Sequence, residues 1–117
     1  MTPMLINGRD TTMDASFFIN ELNADAETIR TRVEGDETFV NFVVDGQSYT
    51  AKWYSWSNSI RITCDGFKRE EDDIADQKLY ELSKRFTNDM FGDLIARRMV
   101  VWPEGDRPVL LVLLYEK

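Results

Sequence analysis

The stretch FVNFVVDGQSYTAKW, Phe39 to Trp53, decides the fold. Asp45-Gly46 lies between two β-rich runs, and a two-residue type I′ turn requires positive φ at both central positions, which Asp and Gly tolerate best. The turn sets a register. Counting outward, one face pairs Val44 with Gln47, Phe42 with Tyr49, Val40 with Ala51 and Thr38 with Trp53. The opposite face pairs Val43 with Ser48, Asn41 with Thr50 and Phe39 with Lys52. The first set is the more apolar and is predicted to face the core, which puts Trp53 inside and turns Tyr54 and Trp56 outward.

On the N-terminal side, Ile29, Thr31 and Val33 alternate with Arg30, Arg32 and Glu34, the pattern of a half-buried strand. Gly35 supplies a turn between Glu34 and Glu37. Further upstream, Asp14 is a predicted N-cap for a helix through Asn23. On the C-terminal side, Ile60, Ile62 and Cys64 alternate with polar residues and predict another strand, closed at Asp65-Gly66.

EEDDIADQKLYELSKRF then changes the period. Ile74, Ala75, Lys78, Leu79, Leu82 and Phe86 recur at three and four residues and predict a helix, ended between Asn88 and Gly92. Glu70 to Asp73 crowd its start, where a helix dipole favours carboxylates. Leu94 to Trp102 and Val109 to Tyr115 are predicted as an antiparallel pair across the loop PEGDRP. The last strand is apolar on both faces, as suits a strand covered on both sides. The expected class is α+β, with a mostly antiparallel sheet of about six strands and two helices in the order αββββαββ. One domain spans residues 1–117, with residues 1–12 expected as a loose N-terminal segment.

The composition narrows the function. Twenty-one acids against fourteen bases give a net charge of −7, which opposes binding to polyanionic nucleic acid or anionic lipid and favours a basic partner. No apolar run approaches the length of a membrane span, and the first residues lack the pattern of a secretory signal, so a cytoplasmic setting without membrane contact is expected. A single cysteine and no histidine leave no Cys/His metal set and remove the usual general base, so neither a cofactor nor an enzymatic activity is expected. Cys64 lies on the apolar face of its strand, where thiols are ordinarily inert. The glycines stand singly and make no phosphate-binding loop.

The candidate partner-binding residues are the outward rings Tyr54 and Trp56 and the acids Glu70, Glu71, Asp72 and Asp73. Aromatic side chains on a sheet surface are the type that dominates protein interfaces, and they suit a homodimer equally well. The acidic run is read as helix N-terminal charge, with a divalent cation held by oxygen ligands as the alternative.

FVNFVVDGQSYTAKW and IADQKLYELSKRF together resemble the YbjN family, which shares the α/β fold of type III secretion chaperones. Glu81-Leu82-Ser83-Lys84-Arg85-Phe86 is similar to the ELNRRF-like helix end of that family. The resemblance spans about Asp14 to Trp102 and implies a small acidic protein, often dimeric in the secretion chaperones, that binds a partner polypeptide and performs no chemistry. The expected function is therefore a non-enzymatic protein-binding module of chaperone, adaptor or inhibitor type. The alternative is a phage or toxin-system inhibitor, an immunity or anti-defence protein whose acids mimic nucleic acid and block a basic nuclease or nucleic-acid-binding complex. A carboxylate-based metal enzyme drawing on Glu70 to Asp76 is the third reading.

Overall fold

A computed structural model describes residue 22 and residues 24–54, 59–86, 94–104 and 107–116, with the backbone alone at 26, 94–104 and 114–116. Six strands, β1 (Arg30–Glu34), β2 (Glu37–Val44), β3 (Gln47–Tyr54), β4 (Ser59–Cys64), β5 (Leu94–Glu104) and β6 (Arg107–Glu116), form one antiparallel sheet in the order β1-β2-β3-β4-β6-β5. Among these described residues one α-helix, α1 (Asp72–Ser83), follows β4 after a 3-10 turn at Arg69–Glu71. The class is α+β, as the sequence implies. The predicted helix from Asp14 to Asn23 lies outside the described residues except at Leu22, which is fully buried.

The β2–β3 hairpin has the register counted from its turn, from Glu37 opposite Tyr54 to Val44 opposite Gln47. Asp45 and Gly46 both take positive φ, 51° and 82°, as a type I′ turn demands. At the β1–β2 turn Gly35 has φ 61°, the first-position glycine of a type II′ turn. Strands β4 and β5 run in the same direction, with β6 inserted between them and α1 in the chain that joins them, a split βαβ arrangement.

The core lies between α1 and one face of the sheet. Val40, Phe42, Tyr49, Ala51 and Trp53 from the hairpin meet Ile60, Ile62 and Cys64 of β4, and Leu110 and Val112 of β6. Ala75, Leu79 and Leu82 of α1, with Phe86 beyond it, close the layer. The Phe42 and Tyr49 rings stack at 5.6 Å as a cross-strand pair. Among the described residues no helix is long and apolar enough to cross a membrane.

Several sequence expectations are corrected. Every residue of β1 is exposed, so it is not half-buried. It lies at the sheet edge with β2 as its neighbour, and α1 packs near the other edge, against β4, β5 and β6. Only Ile29, just before β1, packs on the core. Helix α1 ends at Ser83, before Asn88, because Lys84, Arg85 and Phe86 turn their N–H groups to carbonyls three residues back. Ile74 and Lys78 belong to its exposed flank, since the buried stripe centres on Ala75, Leu79 and Leu82. The PEGDRP loop is shorter than expected: β5 reaches Glu104, β6 starts at Arg107, and Pro103 stands opposite Pro108. The pairing of β5 shifts between Arg97 and Val100, so plain alternation fails across Arg97 and Arg98.

Candidate protein-binding face

The sheet face away from α1 carries side chains that the hairpin register directs there. Antiparallel pairing places Arg32 of β1 opposite Phe39 of β2, Phe39 opposite Lys52 of β3, and Lys52 opposite Arg61 of β4. These four form one row across the strands, because residues opposite each other share a face. The row continues to Leu111 of β6, opposite Arg61, where the face becomes buried.

The row is held by cation–ring and ion-pair contacts. The Arg32 guanidinium lies 4.2 Å from the Phe39 ring centroid and pairs with the Glu34 carboxylate two residues on. Lys52 Nζ sits 3.8 Å from Glu37 Oε2 and 5.8 Å from the Tyr54 ring centroid. Phe39, Lys52, Tyr54 and Arg61 are each partly exposed. The adjoining row is polar: Asn41 Nδ2 donates to Thr50 Oγ1 at 2.7 Å, and the Thr50 hydroxyl donates to Asp65 Oδ2 at 2.7 Å. Burial raises the Asp65 carboxyl above its ordinary range, and the Thr50 hydroxyl works against that rise.

The predicted site residues do not converge. Tyr54 ends β3 on this face, opposite Glu37. Trp56 lies outside the described residues. The four acids belong to the start of α1, at the other layer. Glu71 Oε1 accepts the Lys68 N–H at 2.8 Å, a capping contact, and Asp72 Oδ1 accepts from Arg107 Nε at 2.8 Å. Arg107 also donates to the Phe67 carbonyl at 2.8 Å. Glu70 and Asp73 remain exposed. Among the described residues no three His, Cys, Asp or Glu side chains gather as a metal-holding group.

Among the described residues, two clefts lie against the helix. One of about 300 Å³ is lined by Cys64, Asp65, Phe67, Ala75 and Arg107, among others. Burial, and then the Asp65 carboxylate, push the Cys64 thiol up to about 11, so at neutral pH it stays protonated and a poor nucleophile. The other, about 240 Å³, lies between the β2–β3 turn and α1, with Asp45, Tyr49, Lys78, Glu81 and Arg85 on its walls. Arg85 closes part of it by pairing with Asp45 and donating to the Leu22 carbonyl at 3.1 Å. Burial pushes the Tyr49 phenol up to about 12, and its hydroxyl faces the Lys78 carbonyl at 3.5 Å.

Sequence reasoning placed Phe39 opposite Lys52 but did not extend the row to Arg32 and Arg61. The signal was present at Asp45-Gly46. The extension needs the pairing partners of β1 and β4, which no local pattern supplies. No family model, curated protein or solved structure matches the chain.

Proposed function

We propose that this chain is a non-enzymatic protein-binding module that engages its partner through the sheet face opposite α1. The observation that carries the reading is the row Arg32, Phe39, Lys52 and Arg61, with Tyr54 beside it. Arginine and aromatic side chains provide most of the energy of protein interfaces, and a strand scaffold holds them at low conformational cost. Glu34 and Glu37 offset much of the charge of Arg32 and Lys52, which favours a mixed protein surface over a polyanion. The resemblance to the YbjN and secretion-chaperone pattern points the same way.

The test is affinity capture from the native host, comparing the parent chain with a Lys52→Ala, Tyr54→Ala double variant and with Tyr80→Ala on the exposed side of α1. A partner retained by the parent and by Tyr80→Ala but lost by the double variant supports the reading. Equal retention by all three overturns it.

A second reading rests on a different surface. Glu70, Asp73, Asp76 and Glu81 are all exposed along α1 and its approach, and would suit a basic nuclease or nucleic-acid-binding complex blocked by an inhibitor of immunity or anti-defence type. Binding on that side weakens as salt rises and is lost on charge reversal at Asp73 and Asp76; salt-insensitive binding excludes it.

A further inference from the structure

We propose that the outer edge of β1 pairs antiparallel with the same edge of a second copy of this chain, about a two-fold axis at Arg32. All five residues of β1 are exposed, and Val33 is 66% exposed, the highest value among the large apolar side chains described. The strand contains no proline, and its register with β2 runs without interruption from Arg30 to Glu34. It is therefore a straight edge that a further strand can extend.

The backbone phase supports pairing. Glu34 and Glu37 close a two-residue hairpin, so that pair exchanges its hydrogen bonds with each other. Alternation then commits Arg32 and Arg30 to β2 and directs the N–H and C=O groups of Thr31 and Val33 to the open edge. In a two-fold pairing centred on Arg32, Thr31 meets Val33 of the second copy, and Val33 meets Thr31. Both outward residues of each chain thereby gain a backbone partner.

The side chains are self-complementary in the same register. Arg30 stands opposite Glu34 of the second copy, and the symmetry repeats the pair. Thr31 and Val33 share the other face, where the two Val33 side chains lie diagonally across the axis. Arg32 meets Arg32, a like-charge contact that each chain moderates by placing its own guanidinium over Phe39 and against Glu34. Two five-residue strands bury little area, so the dimer is weak and the monomer dominates in dilute solution.

The inference shares Arg32 with the proposed partner-binding face but rests on the backbone edge of β1, and its test keeps the two apart. Sedimentation velocity from about 5 to 500 µM in low salt is expected to show the parent chain passing from monomer towards dimer. Arg30→Glu alone and Glu34→Arg alone each place like charges opposite one another and weaken association at least about tenfold. The double exchange R30E/E34R restores it, while the Lys52→Ala, Tyr54→Ala variant dimerises as the parent does. Circular dichroism confirms that each variant is folded, which the exposure of β1 leads one to expect. A monomer at every concentration, no rescue by the double exchange, or stronger association when Arg30 is removed (arginines guarding the edge) each overturns the proposal.

Discussion

Strands β1 and β6 belong to one sheet and have opposite surroundings. In β1 every side chain is exposed, although Thr31 and Val33 alternate with charged residues as a half-buried strand would. In β6, Pro108 through Val112 are all buried, on both faces of the strand. Leu110 and Val112 join the core under α1, while Val109 and Leu111 are covered on the other face, outside that cluster. The difference teaches that alternation states which side chains share a face, and that position in the sheet decides whether anything covers it. The insertion of β6 between β4 and β5 protects it; among the described residues β1 has β2 on one side only.

The sharpest test of this contrast is Leu110→Ala. A fully buried leucine leaves both lost transfer energy and a cavity, so a loss of about 3 kcal/mol is expected in urea unfolding. A loss under about 1 kcal/mol would break the contrast by showing that β6 is not packed.

Alkaline titration probes the same covered layer where Tyr49 of β3 stands opposite Cys64 of β4. Burial raises both pKa values, the thiol from 9.0 to about 11 and the phenol from 10.0 to about 12. The folded chain therefore holds protons that the unfolded chain releases, and stability is expected to fall as pH rises from 9 towards 12. Cys64→Ala should flatten the lower part of that fall and Tyr49→Phe the upper part, each read from urea midpoints across the window. Equal slopes in all three proteins would refute the burial of these groups.

Arg107 opens β6 and ties it to Asp72 and the Phe67 carbonyl. The guanidinium is partly exposed, so Arg107→Ala is expected to cost only about 1 kcal/mol, seen as a small drop in Tm. The smallest effect belongs to β1. Val33→Ser should change unfolding stability by no more than about 0.5 kcal/mol when measured in dilute solution. A larger loss would mean that β1 is covered after all.

Much of the fold was legible from the sequence. Asp45-Gly46 places Phe42 opposite Tyr49 and buries Trp53, because a two-residue turn leaves one register and one face is plainly more apolar. Ala75, Leu79, Leu82 and Phe86 were legible by their helical spacing, although Ile74, one residue from the buried stripe, shows that spacing alone does not set the width of the covered face. The candidate site was legible only in part. Tyr54 was assigned to the outward face, but Arg32, Phe39 and Arg61 on that face come from three other strands.

What the sequence by itself determined is local. Two turns with positive-φ glycines, the β2–β3 register, the core face of the hairpin and the helical spacing of Ala75, Leu79 and Leu82 follow from backbone sterics and side-chain period. What the tertiary structure decided is non-local: the insertion of β6 between β4 and β5, the exposure of β1, and the alignment of Arg32, Phe39, Lys52 and Arg61 into one row. Those depend on which strands become neighbours, and neighbours far apart in the chain are chosen by the burial of the whole sheet against the helix, not by any pattern within a single strand.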